Sequence, residues 1–177
     1  MTRTPHRLTA VALTGLLALG IPALAGCGNV AENAIEQAAG DAIGGDVELS
    51  DGGLTVTNSD GTQMQLGENM SVPDNWPSGL PTYDGGSLVS VVVEGDGSTV
   101  NAVWTTEEAA EDAAATYGAA LESAGYTAGT TSNMAGMANT EYTGGEFTVN
   151  VTALDADGTT TLMVNAEKQR SGRAWEP

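Results

Sequence analysis

The residues able to do chemistry in this chain are few and unevenly placed. There is one cysteine, Cys27, one histidine, His6, one lysine, Lys168, and 23 Asp and Glu against five Lys and Arg. Nucleophilic catalysis of the Ser-His-Asp or Cys-His kind needs an imidazole close to the nucleophile. Here the imidazole stands at the extreme N-terminus, in a stretch unlike the rest of the chain. Lys168 has no Ser-x-x-Lys before it, and neither Gly-x-x-x-x-Gly-Lys nor Gly-x-Gly-x-x-Gly occurs, so phosphate-cradling loops have no support. Carboxylates remain. Two of them working as acid and base would suit a small hydrolase, but no spacing singles out a pair. Asp155-Ala-Asp157-Gly158 opens like a calcium loop, then fails, because its twelfth position is Ala166 and strand-like apolar residues fill the span. Asp-Gly in a hairpin turn explains the same residues. The cluster Glu107, Glu108, Glu111 and Asp112 reads as the solvated face of a helix start, where negative charge is favourable. No catalytic residue, metal ligand or cofactor site is therefore assigned.

The charge divides the chain. The formal net charge is −18, which excludes a nucleic-acid binder, since phosphate backbones are held by Lys and Arg. Residues 1–26 contain no acidic residue and carry Arg3 and Arg7. Behind these runs Leu8-Thr-Ala-Val-Ala-Leu-Thr-Gly-Leu-Leu-Ala-Leu-Gly-Ile21, short for a membrane span of about 20 residues and suited to the apolar centre of an export signal. The basic end should stay inside while the remainder crosses.

The apolar run closes in Leu24-Ala25-Gly26-Cys27. This resembles the bacterial lipobox, the motif that ends a lipoprotein signal peptide. The resemblance covers residues 1–27. It implies that the Cys27 thiol takes a diacylglyceryl group, that signal peptidase II cuts between Gly26 and Cys27, and that the new α-amine becomes open to acylation. Cys27 would then bind membrane lipid and place the protein on the cell membrane, facing outside the cytoplasm. Two acyl chains anchor stably where a single myristoyl chain is marginal. Loss of Arg3 and Arg7 with the signal takes the formal charge from −18 to −20. It also takes the only histidine, and acylation consumes the only thiol.

The organisation expected of the chain is a removed signal at 1–26, an anchor and short helical spacer at 27–45, a small β-meander at 46–66, a Pro-rich connector at 67–86, an α+β domain at 87–167 and a disordered tail at 168–177. In the spacer, Val30, Ala34, Ile35 and Ala38 have helical spacing and Gly40 terminates them, while the acidic Glu32 and Glu36 argue for a spacer or packed helix over one resting on an anionic bilayer. The meander alternates Val47, Leu49, Leu54, Val56, Met64 and Leu66 between Gly-rich turns. Pro73, Pro77 and Pro81 exclude regular structure from the connector, where Trp76 is read as an anchor over the core in preference to an exposed binding residue.

Within 87–167, Leu88–Val93 and Val100–Trp104 form a hairpin, and Thr105 with Glu108 has the spacing of a capping box that starts a helix. Ala109, Ala113, Tyr117, Ala120, Leu121 and Ala124 make its apolar stripe, with Gly125 and Tyr126 ending it in a Schellman turn. Residues 126–131 and 139–143 are weak strands; Phe147–Ala153 and Leu162–Ala166 are strong ones. The expected fold class is α+β: an antiparallel sheet in ββαββ order with one main helix packed on one face, preceded by the short helix and the meander. This periodicity outweighs the disorder warning given by large net charge and few branched aliphatic residues.

The order of an acidic meander, the strap Val72-Pro-Asp-Asn-Trp-Pro-Ser-Gly-Leu-Pro81 and a ββαββ domain resembles small exported lipoproteins of high-GC Gram-positive, actinobacterial type that have no assigned activity. That likeness implies no catalytic residues. The functional expectation is a lipid-anchored extracytoplasmic binding or interaction domain without catalysis. Its negative field would attract a cationic peptide, a basic protein or a divalent cation. The alternatives are a small carboxylate-dependent envelope hydrolase, or a passive structural factor of an envelope complex.

Overall fold

The computed structural model describes residues 40, 44–50, 52–134 and 136–169. Cys27, Gly26 and the 29–39 spacer lie outside the described residues, as do Arg170 and Arg173. Nine strands follow one another: β1 (Gly45–Ser50), β2 (Gly53–Asn58), β3 (Gln63–Met70), β4 (Ser87–Val93), β5 (Thr99–Thr106), β6 (Thr127–Met134), β7 (Met137–Gly144), β8 (Phe147–Ala156) and β9 (Thr159–Lys168). The single described helix of any length, α1 (Ala110–Ser123), falls between β5 and β6.

This corrects the expected fold class. The strands form one antiparallel sheet in the order β1-β2-β3-β4-β5-β9-β8-β7-β6, so the architecture is mostly β and not a ββαββ α+β domain with a detached meander. The meander is joined to the rest because β3 runs on to Met70 and pairs with β4, Met64 opposite Val92 and Gln65 opposite Val91. The weak strands are also full strands, eight residues each, paired with one another. Every backbone donor in a sheet needs a partner, and lateral addition satisfies more of them than two separate sheets would.

Pairing in register sorts the side chains into two faces. On the face toward α1, Leu88, Trp104, Leu162, Ala153 and Ala138 form one row and Val91, Ala102, Val164, Val151 and Thr140 the next. Most of these are fully buried and make the main core with Ala113, Tyr117 and Leu121 of α1. The helix packs on β6–β9. Over β4 and β5 its place is taken by the segment 71–86, whose Leu80 and Tyr83 are buried and whose Trp76 stands edge-on to Trp104 at 6.1 Å. Two turns begin at its prolines, with Trp76 N–H donating to Pro73 O and Leu80 N–H to Pro77 O. Trp76 Nε1 then donates to Leu80 O. Its ring is thus a half-buried anchor of the strap.

Two details of the helix differ from expectation. Thr105 and Thr106 belong to β5, paired with Thr161 and Thr160 of β9, so no capping box forms. Ladder pairing holds them extended, and Thr106 Oγ1 donates to Gly85 O and accepts from Glu108 N–H. The apolar stripe is Ala110, Ala113, Ala114, Tyr117, Gly118 and Leu121, shifted from the Ala109, Ala120 and Ala124 side. The helix end is a Schellman turn, with Tyr126 N–H donating to Leu121 O, Gly125 N–H to Glu122 O, and Gly125 at φ +91°.

In β2 and β3 the backbones approach too closely for side chains at one point, where a Cβ on Gly67 would stand 1.9 Å from Gly52 O and 2.7 Å from the Cα of Gly53. Backbone cannot step aside as a side-chain tip can. Gly67→Ala should therefore destabilise by about 1–3 kcal/mol through overpacking, with faster amide exchange in β1–β3 than in β7–β9. Unchanged exchange in β1–β3 would contradict this.

Candidate functional site

At the end of β5, beyond the last core row, a cleft of about 590 Å³ is lined by Gly85, Gly86, Thr105, Glu107, Glu108 and Thr159 among others. Tyr83 Oη donates to Glu108 Oε2 at 2.9 Å, which ties the strap to the turn before α1. Glu111 and Asp112 follow in the first turn of the helix. The four acidic residues read from sequence as a solvated helix start do surround that end of α1. No three potential ligands converge on a metal position among the described residues. The Asp155–Gly158 segment is a hairpin turn, with Asp157 and Gly158 both left-handed at φ +55° and +81°, the conformation of a type I′ turn. Lys168, the last residue of β9, faces Glu146 at 3.6 Å, and Gln169 N–H still donates to Glu146 O. Lys168 and Gln169 are thus held to the sheet, and the rest of the expected tail, 170–177, lies outside the described residues.

All four tyrosines have phenols held above their ordinary range near 10. Burial is the main cause for each; Glu108 adds to it at Tyr83, Tyr126 at Tyr117, Glu146 at Tyr126 and Glu122 at Tyr142. Tyr117, wholly buried with its Oη donating to Pro81 O, is pushed furthest. A folded-state pKa above the unfolded value gives stability that is complete below about pH 10 and is lost as pH rises through the folded value. A near-ultraviolet titration should therefore show little tyrosinate just above pH 10, then a cooperative rise together with unfolding. Four independent titrations near pH 10 in folded protein would refute it.

Two surface features stand out. The first is β6, the outer edge of the sheet. All eight residues, Thr127–Met134, are exposed and none is charged, in a chain with 23 acidic residues. Natural edges are commonly guarded by charge; this one has only a register shift between Ala128 and Thr131. The second is the sheet face turned away from α1. Register places Val47, Val56, Met64 and Val92 in one row on it, and Leu49, Leu54, Leu66, Ser90, Val103 and Met163 in another. Toward β8 and β7 the same face becomes polar, with Asn139 Nδ2 donating to Asn150 Oδ1 and Thr152 Oγ1. The alternation in 46–66 shows that these apolar residues share a face, but not that it is opposite to the helix.

No family model, no curated protein and no solved structure matches this chain. Among the described residues no helix is long and apolar enough to cross a membrane.

Proposed function

We propose that this protein is a lipid-anchored extracytoplasmic interaction domain, held on the cell membrane through Cys27 and binding cationic peptides or basic proteins without catalysis. The observation that carries the anchoring is the sequence Leu24-Ala25-Gly26-Cys27 behind a basic stretch and a short apolar run. Binding is supported by two features acting together. A surface with a formal charge near −20 after loss of the signal concentrates cationic partners by long-range attraction. The uncharged, exposed β6 then offers free backbone groups to an extended segment, which can add to the sheet as a tenth strand. Attraction brings the partner; strand pairing holds it.

Two measurements test the reading. The N-terminal peptide of the membrane-bound protein should begin at Cys27 and carry the mass of the acyl groups; an unmodified thiol there contradicts the anchoring. Titration of the purified domain with an extended Lys-rich peptide should give saturable heat that weakens as salt screens the charges. A proline introduced in β6, Thr131→Pro, should abolish saturation, with circular dichroism and amide exchange in β7–β9 checking that the rest of the sheet is retained. Saturation unaffected by that substitution would move the site away from β6.

A further inference from the structure

The β6 edge is bordered by an uncharged strip on the face of the sheet turned away from α1. Register aligns Met134 of β6 with Met137 of β7, Leu154 of β8 and Thr161 of β9 in one cross-strand row. Met134 is 62% exposed and Leu154 43%, the two highest values among the described large apolar residues. The next row, Ser132, Asn139, Thr152 and Met163, is uncharged as well. Single exposed apolar residues are ordinary, but neighbours in a row beside a free strand edge mark a contact surface.

Two rows further along, the same face gains a charge. Glu141 of β7 lies opposite Asn150 of β8, four residues along the strand from Met137. The register shift in β6 sets Gly129 and Thr130 against it. Gly129 has no side chain to intervene, and a Cβ there would stand 4.0 Å from Glu141 Oε1, so the carboxylate lies beside the edge strand. Lys168, the one Lys or Arg among the described residues, pairs with Glu146, which leaves Glu141 with no basic partner among them. A side chain on an added strand would start one strand spacing, about 4.8 Å, outside Gly129, a gap that the long side chains of Lys and Arg span.

We infer that β6 selects its partner by pattern: the added segment places an apolar side chain against Met134, Met137 and Leu154 and, four residues later on the same face, a Lys or Arg against Glu141. The order follows from direction. Every pairing in this sheet is antiparallel, and a strand antiparallel to β6 passes Met134 before Gly129. Backbone pairing supplies affinity without regard to sequence, while side chains alternating on one face supply discrimination. Moving the apolar residue by one position turns it to the other face, and no slip of register restores both contacts. This rests on strand addition at β6 as proposed above and adds the pattern that the segment must carry.

Titration calorimetry of the full chain in nanodiscs of neutral lipid tests this. The probe is an extended Thr-based peptide with one Leu and, four residues later, one Lys; in its isomer the Leu is exchanged with the Thr that follows it. The probe should bind about three- to fivefold more tightly than the isomer at low salt, because the isomer can satisfy Leu or Lys but not both. In Glu141→Gln the two should bind equally. Replacing the Leu of the probe by Thr should weaken binding about tenfold. In the double variant Met134→Ser, Leu154→Thr the same replacement should cost less than about twofold, since the apolar contact is already gone. Saturation of that variant by the Lys-rich peptide shows that its β6 is intact. Equal affinity for the two isomers, or indifference to the Leu, overturns the inference and leaves strand addition standing wherever Thr131→Pro still abolishes Lys-rich binding. Lys-rich binding indifferent to Thr131→Pro overturns strand addition, and this inference with it. Peptide affinity that falls as protein concentration rises assigns the edge to a second copy of the chain and overturns the inference too.

Discussion

Trp104→Ala should cost about 3–5 kcal/mol, the largest loss of stability from any single truncation in this domain. The side chain is 2% exposed and stands where the helix, the strap and the sheet meet. Its ring lies 6.1 Å from Trp76 and 6.2 Å from Tyr83 in edge-to-face arrangements, and 6.0 Å from Tyr117 at a tilt of 39°. Such aromatic pairs are worth about 0.5–1.5 kcal/mol each beyond the area they bury. Much of the remaining core is alanine: Ala102, Ala110, Ala113, Ala114, Ala138, Ala153 and Ala166. Each of these contributes little area, so the aromatic group carries a disproportionate share, and small neighbours cannot swell to fill the cavity. Domains of this size are stable by about 5–15 kcal/mol, so the loss is a large fraction of the whole.

The same substitution makes a second, local prediction. Trp76 and Tyr83 hold the strap to the sheet through Trp104, so residues 71–86 should become protease-sensitive before β7–β9 lose protection. Trp104→Phe should recover most of the loss, since a ring remains. Urea unfolding monitored by circular dichroism gives the magnitude, and a loss below about 1 kcal/mol would show that the cluster is not the keystone this geometry makes it.

How much of this was legible in the sequence depends on whether a signal was local. The Schellman end at Gly125–Tyr126 is local, since one left-handed glycine and one apolar residue after it suffice. The Asp157-Gly158 turn is local for the same reason. The start of α1 is not. Thr105-Thr-Glu-Glu108 has capping-box spacing, but pairing of Thr105 and Thr106 with β9 extends the strand through them, and the helix waits until Ala110. Alternation in 46–66 showed which residues share a face, while the choice of face was made by register, which sets Met64 against Val92 and Gln65 against Val91. One residue of slip would have sent the same apolar set toward α1. β6 was hard to read because an edge strand exposed on both sides has no apolar face to alternate. For the site, the balance runs the other way. Cys27 is legible only as a motif, and the bare β6 edge only as structure.

Cys27→Ala should remove the protein from the membrane or stop its maturation, and the two outcomes differ in size. Lipid attachment is expected to precede cleavage, so without the thiol the first result is an uncleaved precursor still carrying Leu8–Ile21. That apolar run can hold the precursor at the membrane, and the product would be larger by the signal. If another peptidase cuts near Ala25 instead, the product has nearly the mature size and no acyl chain. Nothing then replaces the anchor. Acyl burial contributes about 0.8 kcal/mol per CH₂, and a polybasic patch is the usual second source of membrane affinity. Here the charge near −20 is repelled by anionic headgroups, so released protein should be found almost wholly in the soluble fraction. Gel mobility and fractionation read both results at once. Protein of mature size retained on the membrane would sink the lipid anchor, since neither an apolar run nor an acyl chain would be left to hold it.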